Sequence, residues 1–428
     1  MKKPELHIFS NGLKVILYSS NNFITNSILV LVKSGTDYED SNNNGISHFL
    51  EHLFFKGTKN FETPEKLGFE LDKIGAEYNA FTSYEYTGYY IKTLPEYFER
   101  AIFIMSDLLI NPLFDEREVE KEKNVIIEEI NYHKDNPLSF IFDETLKLCY
   151  GNQPAGWSIL GTEENIRKIS SEDIKNYFRK HYCIEKSLIV VSGNFNKKKI
   201  IKLLENYFKN YPKNKIINKN KIKKVKGFNG KIYYKNDVSQ SHIVMLFRIP
   251  GLMNLKENRH TISLLATILG SGMSSRLFKT IREELGLSYY IRASVDFYTD
   301  RGYIFIQSGS KLDKTTLAVE KILEEVYKLK KEKISKEEFE KGLAILKNTL
   351  FSSLESSLNI AYFIGLDYLL MGKMNDITKV LNEINKIKID DLYKVAQKYF
   401  KKENLTYGIL SHPDFKQINL QDIFYKFS

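Results

Sequence analysis

His48 and His52 stand four residues apart, with Glu51 directly before the second. On an α-helix, positions i, i+3 and i+4 share one face. Both imidazoles can therefore reach one cation, with a carboxylate beside them. A catalytic zinc requires those parts: nitrogen ligands, an open coordination position and a base for the water it activates. The order His-x-x-Glu-His is the inverse of the commoner His-Glu-x-x-His. The plainer alternative is a half-buried helix that happens to carry two of the chain's eight histidines.

These residues need an element to hold them and a third ligand. Gly45-Ile46-Ser47 can cap a helix running from Ser47 to about Phe55, before Lys56-Gly57 ends it. A zinc site with two histidines takes one more protein ligand. The long charged stretch 115–136, stopped by Asn136-Pro137, is the best donor. It offers Glu116, Glu118, Glu120, Glu122, Glu128 and Glu129, with apolar Val125, Ile126, Ile127 and Ile130 predicting a buried middle. Glu122 and Glu129 are seven apart and share a face. Periodicity alone does not choose between Glu128 and Glu129.

At 428 residues the chain is too long for one ordinary core, and its 43% apolar content is ample for folding. Cys149 and Cys183 make neither a disulfide framework nor a metal spacing, which favours a reducing, cytoplasmic setting. The N-terminal lysines have no apolar run behind them, so neither a signal peptide nor a membrane span is expected. The formal charge of +10 is unevenly spread: Lys197–Lys235 holds fourteen lysines against Glu205 alone, leaving the remainder at about −3. That pattern predicts a solvated basic linker and argues against nucleic-acid binding, because aromatic interleaving is missing.

The sequence also repeats itself. Gly75-Ala76-Glu77-Tyr78 leads from a helical stretch into strand residues, as does Gly286-Leu287-Ser288-Tyr289. Acids open amphipathic helices near Ile169 and Ile387, and each helix is followed by a β-rich run, Ser187–Val191 and Leu405–Leu410. The predicted organisation is a first unit at 1–212, a Lys/Asn-rich linker at 213–228 and a second unit at 229–428. The predicted fold class is α+β: two homologous units, each a mainly antiparallel sheet with helices packed on one face.

With these motifs in place, the sequence resembles the pitrilysin/insulinase metallopeptidases, the family that includes the mitochondrial processing peptidase. The resemblance covers nearly the whole chain. The family pattern of His-x-x-Glu-His, 76 residues and a ligand Glu falls on Glu129, counting from His52. It implies one Zn2+ per chain held by His48, His52 and Glu129, with Glu51 as base and Glu122 as a carboxylate that orients a ligand. Asn79-Ala80-Phe81 is similar to the family segment that lines the cleft as an edge strand and binds substrate main chain. Gly156–Gly161 resembles a further, structural segment. In the second half, Arg282 and Tyr289 match an Arg/Tyr pair that implies contacts to substrate carbonyls. The second half lacks His-x-x-Glu-His, and Thr261–Leu269 is apolar instead. The implied activity is endopeptidase cleavage of peptides or unfolded segments inside a chamber of four such units, hence a homodimer. The alternative is a non-catalytic peptide-binding or assembly subunit of the same fold.

Overall fold

Alternating and continuous apolar runs account for the strands of the computed structural model, which describes residues 3–223, 225, 227–415 and 423. In chain order the strands are β1 (Glu5–Ile8), β2 (Lys14–Ser19), β3 (Asn26–Val32), β4 (Glu77–Thr82), β5 (Thr87–Thr93), β6 (Ser187–Gly193), β7 (Asn229–Tyr234), β8 (Ser241–Pro250), β9 (Ser288–Phe297), β10 (Arg301–Ser310) and β11 (Leu405–Ser411). They form one sheet of order β1-β2-β6-β3-β5-β4 and another of order β7-β11-β8-β10-β9. In the first sheet only β2 and β6 are parallel; in the second only β7 and β11 are. Apart from β1 the two topologies match strand for strand. The class is α+β, one architecture used twice.

The chain divides into two compact units, neither contiguous in sequence. The first comprises the stretch to Tyr132, Trp157–Lys221 and Phe351–Thr378. The second comprises His133–Gly156, Ile222–Leu350 and the stretch from Lys379. In the first unit, Ile28, Val30 and Val32 of β3 enter a core with Ile189 and Val191 of β6 and the helices Ile46–Leu53 and Phe98–Ile110. In the second, Ile243, Met245 and Phe247 of β8 pack with Ile304, Ile306 and Ile409 under helices Arg259–Gly270 and Thr315–Lys331.

The other face of each sheet is covered as well, by a helix from the opposite half of the sequence. Helix Ser357–Met371 lies on β3 and β6. At Gly365 an added Cβ would stand 2.7 Å from Val190 Cγ2 and 3.0 Å from Leu31 Cδ1, so glycine sets that close approach. Helix Pro137–Tyr150 lies on β8 and β11, where Ile141 and Leu146 meet Val244, Leu246 and Leu410. Double coverage explains why β3 and β10 are buried along their whole lengths, including the polar Asn26, Arg301 and Gln307. Among the described residues no helix is long and apolar enough to cross a membrane.

The repeated glycine turn has a common cause. Gly75 and Gly286 have φ of +56° and +57°, the left-handed conformation that lets a helical segment stop and turn into β4 and β9. The stretch read as a basic linker is mostly exposed, but it is not wholly solvated. Lys219 lies between buried Asp37 and Glu85, at 3.5 and 2.5 Å. The Asn220 carboxamide donates to the carbonyls of Asp37 and Glu39 at 3.0 and 2.8 Å.

Candidate active site

The motif helix spans Ile46–Leu53 and continues as a 3-10 turn over Phe54–Lys56, close to the predicted Ser47–Phe55. Its apolar residues Ile46, Phe49, Leu50 and Leu53 are buried in the core, which turns His48 and His52 toward helix Glu116–Asp135. The cap differs from the expectation. Gly45 is the N-cap and offers no side chain, while Ser47 lies inside the helix with its hydroxyl 2.8 Å from that of Tyr177. The orphan first-turn amides are met by Glu39, six residues upstream of the cap. Its buried carboxylate accepts from Gly45 N and Ser47 N, each at 2.9 Å, and from Asn44 Nδ2 at 2.9 Å. Burial raises the Glu39 pKa, and these hydrogen bonds oppose the rise. Glutamate is not a usual N-cap, and the contact needs the loop 36–45 to fold back, so the sequence alone carried no sign of it.

The ligand atoms converge. His48 Nε2 and His52 Nε2 are 3.3 Å apart, and Glu129 Oε2 lies 3.7 and 3.4 Å from them. A tetrahedral zinc with bonds of about 2.0–2.1 Å separates its ligands by about 3.3 Å. The donor set and its spacing thus fit that ion. Glu128 is exposed, whereas Glu129 is half-buried against the histidines, so the tertiary structure distinguishes the two neighbours.

Glu122 sits behind His52. Its Oε1 is 2.9 Å from His52 Nδ1, and its Oε2 is 2.6 Å from Lys56 Nζ. A carboxylate there places the proton on Nδ1 and leaves Nε2 free to bind a metal. Burial works to raise the Glu122 pKa, but His52 and Lys56 outweigh it and hold the group below the usual carboxylate value. Burial likewise disfavours the His52 imidazolium, yet Glu122 and Glu129 push its pKa up to about 9. Two carboxylates around one imidazole thus make a local field that attracts a cation. Lys56, expected only to end the helix, lies four residues after His52 on the same face, the one sign in the sequence that it could reach the carboxylate behind His52.

Glu51 projects from the same helix. Burial raises its pKa, opposed by the Thr82 hydroxyl, which donates to Glu51 Oε2. Thr82 belongs to β4, the free edge of the first sheet, which also holds Asn79, Ala80 and Phe81. Asn79 is exposed, and its side-chain oxygen accepts from Ala80 N at 2.8 Å. That bond occupies an edge amide that an added strand would otherwise use. The Phe81 ring lies over Gly88 and meets Tyr86 and Tyr362 edge-on at 6.1 and 5.5 Å. Tyr362 comes from helix Ser357–Met371, so the late sequence contributes to the edge of the first sheet.

Arg282 and Tyr289 lie in the second unit, and each is on irregular backbone. Arg282 is on a π-helix, Phe278–Glu284, with its guanidinium 4.8 Å from the Phe278 ring centre. In β9 the register with β10 shifts between Gly309 and Ser310, so Tyr289 is left out of the pairing between Ser288 and Tyr290. This bulge turns Tyr289 outward, and the side chain is 63% exposed. Both irregularities are frequent near functional sites because they re-aim side chains.

The chain is similar to known proteins in both sequence and fold. Residues 14–163 match the family described as insulinase (peptidase family M16), and residues 168–346 match the M16 inactive domain. The chain is 33% identical to an uncharacterized zinc protease of Bacillus subtilis, over 92% of this chain and 95% of that one. It is 29% identical to the mitochondrial-processing peptidase subunit beta of Saccharomyces cerevisiae, over 89% and 85% of the two chains. The crystal structure of a protease from Helicobacter pylori superposes with a TM-score of 0.88 at 25% identity, covering 96% of this chain and 99% of that one. With a zinc-protease relative matched almost end to end and the inverted motif lying inside the stretch that matches the insulinase family, this chain belongs to peptidase family M16.

Proposed function

We propose that the protein is a zinc-dependent endopeptidase acting on peptides or unfolded segments. The observation that carries this reading is the convergence of His48, His52 and Glu129 on one point, with Glu51 on the same helix. His48, His52 and Glu129 hold one zinc per chain, and Glu122 fixes the His52 ring for it. Bound zinc supplies Lewis acidity, which activates a water and polarises the substrate carbonyl. Glu51 takes a proton from the attacking water and delivers it to the departing amine. The β4 edge at Asn79 and Ala80 receives an extended substrate, which takes over the Ala80 amide from the Asn79 side-chain oxygen, and Phe81 flanks that edge beside Tyr86 and Tyr362. Arg282 and Tyr289 donate to the substrate carbonyl oxygen as negative charge develops on it.

Glu51→Gln is expected to lower cleavage of a quenched peptide by at least about 1,000-fold while zinc analysis still finds one ion per chain. A variant with near-normal turnover would remove Glu51 from its role. Zinc-loaded wild-type protein that cleaves nothing in a peptide library would favour the non-catalytic subunit instead. Two copies are proposed to pair, enclosing the substrate and excluding folded proteins. Light scattering should then report a dimer under assay conditions; full activity from a monomer would refute the pairing. Pairing with a related chain is the competing arrangement, since one relative is named as a subunit.

A further inference from the structure

Thr82 closes β4, and its hydroxyl donates a 2.5 Å hydrogen bond to Glu51 Oε2. Along the strand, side chains alternate between faces. Ala80 is buried in the core beneath the motif helix, and Tyr78 packs there against Phe55 at 5.3 Å, so Thr82 shares their face. Its backbone is anchored too. Thr82 pairs with Thr87, whose buried hydroxyl is 3.1 Å from the Tyr182 hydroxyl, itself 2.6 Å from that of Tyr89. A β-branched side chain on a pinned strand has few rotamers. Glu51, by contrast, is a long side chain that loses orientation unless something holds it.

We propose that Thr82 is a positioning residue for Glu51, engaging one carboxylate oxygen so that the other faces the water whose proton it takes. The inference rests on the peptidase reading and adds a link to it. The strand proposed to receive substrate along its edge is the strand that orients the base. Docking at Asn79 and Ala80 and proton transfer at Glu51 are then coupled through three residues of one strand. The hydroxyl is the functional part, because a methyl in its place fills the same volume and keeps the strand propensity of the site.

The test uses the full zinc-loaded chain as wild type, Thr82→Val and Thr82→Ser, with a quenched peptide. Zinc stoichiometry and thermal midpoint are measured beside kcat and KM. Expected for Thr82→Val is a kcat lower by about 10- to 100-fold, with KM, zinc content and thermal midpoint close to wild type. Thr82→Ser should recover most of the kcat because it restores the donor. Wild-type kcat in Thr82→Val, or a Thr82→Ser as slow as the valine variant, would overturn the inference alone. Loss of zinc or of folding in Thr82→Val would also overturn it, since Thr82 would then be holding the fold. A zinc-loaded wild type without peptidase activity would sink the peptidase reading and this inference together.

Discussion

Single side chains set this site through contacts that differ in how far they reach along the chain. His48 and His52 come together because four residues of helix bring them together. Glu39 reaches the same helix only through a folded-back loop, and it is the group that ends the helix dipole and satisfies its first amides. Glu39→Ala would leave Gly45 N, Ser47 N and Asn44 Nδ2 without that acceptor in a buried place. Each buried donor left unmade costs about 1–3 kcal/mol, and partial rescue by water and by relaxation brings the expected loss to about 3 kcal/mol. Urea unfolding of the zinc-free protein checks this; a loss below about 1 kcal/mol would mean that Glu39 is not the cap that matters. The residues most legible from sequence were those whose partners are a helical turn away. Glu129 follows from its count from His52 in the family pattern, whereas helix periodicity does not separate it from Glu128. Glu39 and Thr82 carried no such mark: one is an atypical capping residue, and the other is an ordinary strand threonine until β4 is laid under the motif helix.

Among the elements, helix Ser357–Met371 is the one whose place was least predictable. It is apolar on nearly every side and lies in sequence between two stretches of the second unit, yet it covers the outer face of the first sheet. Ser357 Oγ lies 2.8 Å from Ser27 Oγ, and Tyr362 joins Phe81 and Tyr86. Gly365 makes that approach possible, and Gly365→Val should force the helix away from Val190 and Leu31. Overpacking of this kind costs about 1–3 kcal/mol. A fall in thermal midpoint with zinc affinity retained is the expected result, because the ligands sit on the other face of the sheet. An unchanged midpoint would show that the contact is looser than its distances imply. The strands themselves were readable: Ser187–Val191 and Leu405–Leu410 became β6 and β11, and the Gly75 and Gly286 turns open β4 and β9. Their order within each sheet was not, since pairing β2 with β6 joins residues about 170 positions apart.

Stability of the whole molecule should depend on pH through a buried pair outside the proposed chemistry. Lys186 is 1% exposed, with Nζ 2.7 Å from His181 Nδ1 and 4.1 Å from the Tyr38 ring centre. Burial lowers the Lys186 pKa from 10.5 to about 7, and burial together with the lysine charge lowers that of His181 from 6.5 to about 3. Between pH 7 and 10.5 the unfolded chain binds a proton that the folded chain lacks, so this group makes stability rise with pH across that window. His181 acts in the same direction between pH 3 and 6.5. From pH 7 to 9, wild type should gain about 2 kcal/mol relative to Lys186→Met, read by urea unfolding at each pH; parallel curves for the two proteins would refute the buried neutral lysine. At this scale the sequence by itself determined what local spacing can encode: the zinc helix, the glutamate helix, the repeated helix-glycine-strand turn and the α+β class. The tertiary structure alone decided which elements exchange between the halves, which carboxylate caps the motif helix, and which hydroxyl meets Glu51. Those contacts join residues tens to hundreds of positions apart, and their pairing is selected by burying apolar faces and satisfying buried polar groups, neither of which has a period along the chain.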